Sequence, residues 1–279
     1  MVVHPSITTR MNIFSRLDTD IIDTHILPRL DGTTLIVLSS VCSELRNMIC
    51  HNNKDLWRNI CTSTWPSSLL DPIVHNVIST FPGGYRSFFS DAFPSLHHHK
   101  NSHCSYPPTI ELIHVVDVFV QGKPLFSRVL VERLNTNNSP YFFRYIFDVK
   151  LEGSNLGHIY CHEEYNEYLQ ENLRLSWVVI DPTRKRAANL FCSGVKPLSV
   201  KPFLGHYRVV YAMEMAGESQ VRTKMIICLV RIWCFFNKDG LHLKGVLAKM
   251  DDMDGNLVGV EQGVTILLNA IQNGERKKF

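Results

Sequence analysis

The chain has 279 residues, 45% of them hydrophobic and 20% charged, which fits a globular protein of one large domain or two of ordinary size. Its net charge of +3 and pI near 8.4 are too mild to argue for a nucleic acid or an anionic membrane as partner. No apolar run reaches the length of a membrane span; the longest, Met225 to Val230, is strand-sized and stops at Arg231.

Residues 1–16 carry two arginines, several Ser and Thr and no acidic residue. They are expected to form a disordered extension rather than a transit peptide. From Leu17 the pattern becomes helical. Ile22, Ile26 and Leu30 fall at i, i+4 and i+8, one helical face. Leu35, Leu38 and Cys42 mark a second face, and Leu45, Met48 and Ile49 a third. A fourth helix is expected from Lys54 to Cys61, with Asn53 as its N-cap and Leu56, Trp57 and Ile60 on one side. A unit this short buries little surface alone, so its core should be completed by a partner or a neighbouring domain.

Residues 17–61 resemble an F-box, the adaptor-binding motif of cullin-RING ubiquitin ligases. Leu17, Asp20, Ile21 and Ile22 match its opening, and Ile26, Leu27, Arg29 and Leu30 its Ile-Leu-x-Arg-Leu element. Leu35, the Val41-Cys42 pair and the Leu56-Trp57 pair follow in order. Asp18 stands where proline is common, and Leu45 where tryptophan is common. Pro28 lacks an N–H and disfavours helix at Leu27, so the first helix should end or kink there. The resemblance implies that Leu17, Ile21, Ile22, Ile26, Leu27, Leu30, Leu35, Val41 and Cys42 contact a Skp-type adaptor. Each is equally a candidate for the internal core of the helices, and spacing alone does not separate the two roles.

Residues 62–108 read as a connecting region. Trp65-Pro66-Ser67-Ser68 and the aromatic block Phe81 to Phe93 are punctuated by Pro and Gly into turns and short helices. Their aromatics indicate packed chain rather than a free linker. Between Ser95 and Pro108 the composition shifts to His, Asn, Ser and Pro, the pattern of a flexible linker or exposed loop.

Residues 109–279 change period. Ile110–Val120 and Leu125–Val131 flank the turn Gln121-Gly122-Lys123-Pro124 and predict a β-hairpin. Strand-like runs recur at Tyr141–Val149, Leu173–Ile180, Ala187–Phe191, His206–Met213, Met225–Phe236 and His242–Met250. Long helices do not alternate with them, so an antiparallel sandwich or partly closed barrel is expected. Val260, Val264, Leu267, Leu268 and Ile271 predict one closing helix, with Gly274 placed as its C-cap. No repeat appears, which excludes WD40, kelch and leucine-rich arrays. The F-box, the Trp-Pro-Ser segment, the aromatic block and the run Ser176 to Leu190 together resemble a family of plant F-box proteins with a non-repeat β-rich C-terminal region.

Candidate chemistry is sparse. His97, His98, His99 and His103 with Cys104 offer imidazole and thiolate, but consecutive ligands point apart, and a surface loop is expected. His158, Cys161, His162 and Glu163 suggest a Cys–His pair without an orienting third group. Asp251 to Asn256 lacks calcium-loop spacing and is expected to be a strand-to-strand turn. Arg184-Lys185-Arg186 reads as a solvated turn. No nucleotide, metalloprotease or nucleophile-elbow motif occurs. The eight cysteines form no CxxC pair and follow no secretory signal, so they are expected to be reduced, in the cytoplasm or nucleus.

The predicted fold is α+β: an N-terminal helical F-box, then an antiparallel β-rich, sandwich-like domain with a C-terminal helix. The resemblance implies a non-catalytic substrate receptor without cofactor or metal. Its partners would be a Skp-type adaptor, through it a cullin, and an unidentified protein substrate, with no nucleic acid and no membrane. Two rivals stay open: a stand-alone lectin-like binding module, and a small hydrolase or metal enzyme built on the His158–His162 region.

Overall fold

Residues 18–52, 54–69, 71–93, 96–99, 109–135, 147–148, 163–216 and 225–276 are described by the computed structural model. The chain divides into two units, one from Met1 to Ile60 and one from Cys61 to Lys278. The expected extension 1–16, Leu17, and most of the strand expected at Tyr141–Val149 lie outside the described residues.

In the first unit, α1 (Thr19–Ile21) is a single turn, N-capped by Asp18, whose carboxylate accepts from the Asp20 N–H at 3.2 Å. It widens into a π turn at Ile22–Ile26 and closes as a 3-10 turn at Leu27–Arg29. Pro28 explains the change of pitch. It has no N–H for a regular bond to Thr24, and its ring would crowd that carbonyl. The N–H of Leu27 instead reaches the Ile22 carbonyl, five residues back. The buried pair is therefore Ile22 with Leu27. This corrects the face expected from 3.6-residue spacing: Ile26 and Leu30 are only half-buried, because the π turn advances the register by one residue. Next come α2 (Gly32–Ser39), α3 (Ser43–Asn47), a π turn at Met48–Asn52 and α4 (Lys54–Thr64). Leu35, Leu45, Ile49, Leu56 and Trp57 form the interior. The Trp57 indole N–H donates to the Ile49 carbonyl at 2.8 Å, satisfying a helix-end oxygen.

The second unit opens with a 3-10 turn (Pro66–Leu69), α5 (Pro72–Ser79) and α6 (Gly84–Ala92). Trp65 meets the rings of Phe88 and Phe89 at centroid distances of 5.3 and 5.6 Å, so the aromatic block packs on the tryptophan.

Two antiparallel sheets follow. One has the order β3-β2-β5-β6, built from β2 (Thr109–Val120), β3 (Lys123–Asn135), β5 (Leu173–Asp181) and β6 (Arg186–Phe191). The other has the order β4-β10-β9-β8-β7. Its members are β4 (Phe147–Asp148), β7 (Ser199–Phe203), β8 (His206–Ala216), β9 (Met225–Asn237) and β10 (Gly240–Asp252). The Gln121-Gly122 turn has positive φ at both residues, 50° and 74°, the twist that joins adjacent antiparallel strands. α7 (Glu163–Asn172) precedes β5, and α8 (Val260–Asn273) follows β10. Side chains of both sheets and of α8 share one core, among them Val116, Trp177, Val209, Ile232, Leu267 and Ile271. The α+β reading therefore holds, with helices first, antiparallel sheets next and one closing helix.

Three local expectations are corrected. The stretch read as a loop contains β1 (Leu96–His99), paired with β11 (Gly274–Arg276). Gly274 sits at the end of α8 with φ −60° and ψ 130°, so the chain enters β11 directly instead of through a left-handed cap. The Asp251–Asn256 turn joins β10 to α8, not strand to strand. Among the described residues no helix is long and apolar enough to cross a membrane.

The sheet faces explain the layering. β9 alternates buried and half-buried residues, one face in the core. β2 and β5 are buried on both faces. Val116 and Val118 belong to the common core; Asp117 points the other way, towards the 3-10 turn. Its buried carboxylate accepts from the Ser67 N–H (3.0 Å), the Ser67 hydroxyl (2.7 Å) and the Ser127 hydroxyl (2.6 Å). Burial pushes its pKa up, against these hydrogen bonds. In the core, the Trp177 indole donates to His114 Nδ1 at 3.2 Å. That places the imidazole proton on Nε2, 3.2 Å from the Glu132 carboxylate.

Replacing Asp117 with Ala orphans the buried donors of Ser67 and the half-buried hydroxyl of Ser127, a change expected to cost about 1–3 kcal/mol in urea unfolding at neutral pH. The folded carboxyl holds its proton to higher pH than the unfolded one. The wild-type advantage over Asp117→Ala should therefore be greatest below about pH 3.9 and shrink as pH rises through the elevated folded value.

Candidate functional site

The helices of the first unit are placed by their caps. The Asp31 carboxylate accepts from the Thr34 N–H at 2.8 Å and from the Thr34 hydroxyl at 3.0 Å, which starts α2. The Thr34 backbone bond is the main cause holding the Asp31 carboxyl below its usual value. Cys42 caps α3, its sulfur accepting from the Leu45 N–H at 3.5 Å. Arg46 Nε donates to the Ser39 carbonyl at 3.1 Å, tying α3 back to the end of α2.

Burial sorts the sequence-predicted contact residues. Ile22, Leu27 and Leu35 are interior. Ile26, Leu30 and Cys42 are half-buried. Ile21 and Val41 remain 45% and 64% exposed. Leu17 lies outside the described residues.

Val37, at 50% exposure, joins the exposed apolar set and was missed by the sequence pattern. Its signal was present. Successive helical residues are about 100° apart, so Leu35-Ile36-Val37-Leu38 surrounds α2 with aliphatic side chains. A helix apolar on every side belongs in an interior, yet this unit buries only Leu35 of the four. The exposed apolar side chains can do no bond chemistry. They can form the centre of a protein interface.

The other candidates do not gather around this site. His97, His98 and His99 are part of β1. His103, Cys104, His158, Cys161 and His162 lie outside the described residues, and Glu163 opens α7. Among the described residues no group of three or more His, Cys, Asp or Glu could hold a metal ion. Two of the three cations at Arg184-Lys185-Arg186 are paired, Arg184 with Asp181 at 3.0 Å and Arg186 with Asp91 at 2.7 Å. Cys61 and Cys228 are buried, and burial raises both thiols, Cys228 to about 12. Neither is a ready nucleophile.

Three curated Arabidopsis thaliana proteins are similar to nearly the whole chain. The first, named an F-box protein, is 34% identical over 279 residues, covering 94% of this chain and 74% of its own length. The second, also named an F-box protein, is 30% identical over 275 residues, covering 94% and 80%. The third, named a probable F-box protein, is 30% identical over 278 residues, covering 97% and 80%. No family model and no solved structure matches the chain.

Asp31→Ala removes the cap of α2 and is expected to cost about 1 kcal/mol, read as faster amide exchange across residues 32–39. Because the folded Asp31 carboxyl titrates lower than the unfolded one, the benefit of this aspartate is present above about pH 3.9. It fades as pH falls through the lowered folded value.

Proposed function

The chain belongs to the plant F-box protein family, and from that premise we propose that it is the substrate-receptor subunit of an SCF-type cullin-RING ubiquitin ligase. The first unit docks a Skp-type adaptor, which bridges to a cullin. The second unit holds a protein substrate. The chain breaks and makes no bonds itself. It raises the effective concentration of substrate lysines near a ubiquitin carrier bound elsewhere, the gain that tethering supplies. It works in the cytoplasm or nucleus, without cofactor, metal, nucleic acid or membrane.

The observation that supports this reading is the exposed aliphatic set Ile21, Val37 and Val41. The half-buried Ile26, Leu30 and Cys42 would flank it in an adaptor interface. Ile22, Leu27 and Leu35 serve the same interface indirectly, as the core that holds these side chains in place.

Co-expression with a Skp-type adaptor and gel filtration tests the reading. The wild-type chain should co-elute with the adaptor. Val37→Asp with Val41→Asp should weaken the complex at least about tenfold, since a single desolvated charge already costs more than ~1.4 kcal/mol. Both sites are exposed, so the circular dichroism of the variant should match the wild type. No complex with a well-folded wild-type chain would leave the second unit as a stand-alone binding module.

A further inference from the structure

The outward face of the five-stranded sheet carries a charge arrangement that its own fold does not explain. Tyr207, Val209, Cys234 and Ile232 point into the core, so their sequence neighbours face out. Arg208 is thus on the outward face, opposite Trp233 on β9. Opposite Arg208 on the other side, β7 places Lys201. Like charges directly opposite one another destabilise a sheet. Arg231 follows two residues from Trp233 on the same face, and Lys244 lies beyond it on β10, donating to His206 Nε2 at 3.1 Å. Among the described residues none of these four cations pairs with a carboxylate. Of the acidic residues that register on this face, Glu214 and Asp251 sit at its opposite end, where both register with Ile227, and Asp251 is already paired with Lys249; Asp148, on the edge strand β4, registers with Gly245, next to Lys244.

An apolar tip adjoins the cations. The β7–β8 turn is Leu204-Gly205, with φ of 47° and 75°. This turn favours Asn or Gly at its first position. The chain instead places a leucine there, in the left-handed region and 83% exposed, so neither backbone preference nor burial accounts for it. Phe203 beside it is 46% exposed, with the Arg208 guanidinium 5.3 Å from its ring. On β7 itself, Lys201 and Pro202 blunt the strand edge against further pairing. A partner is thereby directed to the face and the tip rather than added as another strand.

We propose that this face binds an acidic segment of a partner polypeptide that also carries large apolar side chains. The carboxylates meet Lys201, Arg208, Arg231 and Lys244, and the apolar side chains cover Phe203 and Leu204. A polypeptide fits better than a nucleic acid. The exposed groups are a leucine and a cation-covered phenylalanine rather than free stacking platforms, and the chain's net charge is only +3. Under the receptor reading the segment belongs to the substrate, and the proposal rests on that reading for this sense alone.

The test uses the full chain and a fluorescein-labelled peptide, Asp-Glu-Glu-Leu-Asp-Phe-Glu-Glu, with binding read by anisotropy at low salt. The wild type should bind it, more weakly as salt screens the charges. Arg208→Glu with Arg231→Glu should weaken binding at least about tenfold, as charge reversal at an interface does. Leu204→Gly should weaken it about fivefold by removing a buried apolar side chain. It should do so without lowering the urea midpoint, because glycine suits the positive φ. Equal binding by either variant would overturn the proposal. So would equal or tighter binding of the peptide with Ser in place of Leu and Phe, or of a labelled oligothymidine, since either would make the face an unspecific polyanion site. Adaptor co-elution is measured separately, so the receptor reading and this proposal can fail independently.

Discussion

A strand that is apolar on both faces must be covered twice. β2 and β5 impose that condition, since their residues are buried on both sides. The common core with the second sheet and α8 covers one side. The other falls to the segment that begins at Trp65, through Ser67 on Asp117 and through Asp91 on Arg186 and the Ala187 N–H. These polar pins give direction to what would otherwise be an apolar contact. A buried carboxylate is tolerable only with its oxygens satisfied, so Asp117 fixes where the Pro66–Leu69 turn lies. The described residues from Trp65 to Phe93 are consequently a layer of the β unit.

The two sheets then differ in what they leave open. At β2 and β5 the outward face of the four-stranded sheet is occupied by its own chain. The five-stranded sheet keeps one face half-exposed, as the alternation of β9 records. A surface spared from folding is where binding groups can be placed without cost to the core. The four cations, which among the described residues pair with no carboxylate, and the left-handed leucine at the β7–β8 turn both occur there.

Much of this was legible in the chain. Strand-like apolar runs and turn residues marked β2, β3, β8, β9 and β10, and the stripe Val264, Leu267, Leu268, Ile271 marked α8. What escaped depended on partners distant in sequence or on altered pitch. β1 and β11 are short, and each is a strand only because it meets the other, over a hundred residues away. β7 is only five residues long and includes Lys201 and Pro202, so no strand-like run marks it; it is held by its hairpin with β8. Pro28 announced a break, but not that the preceding turn would widen and exchange Ile26 for Leu27 as the buried partner of Ile22. Burial also separated roles that spacing could not: Leu35 is core, whereas Val37 on the same helix is exposed.

The same distinction bears on how a small helical unit can be both stable and unfinished. Its interior is closed by Leu27, Leu35, Leu45, Ile49 and Trp57, and its helix ends by Asp18, Asp31, Cys42 and the Trp57 indole. Each of these satisfies a group that would otherwise be lost to water. Among its exposed side chains, beside charged ones such as Asp20, Arg29 and Glu44, are the aliphatic Ile21, Val37 and Val41. Had these positions been polar, the unit would gain solubility and lose nothing internally. Their cost in the isolated chain is recovered when a second surface covers them, as a protein interface would.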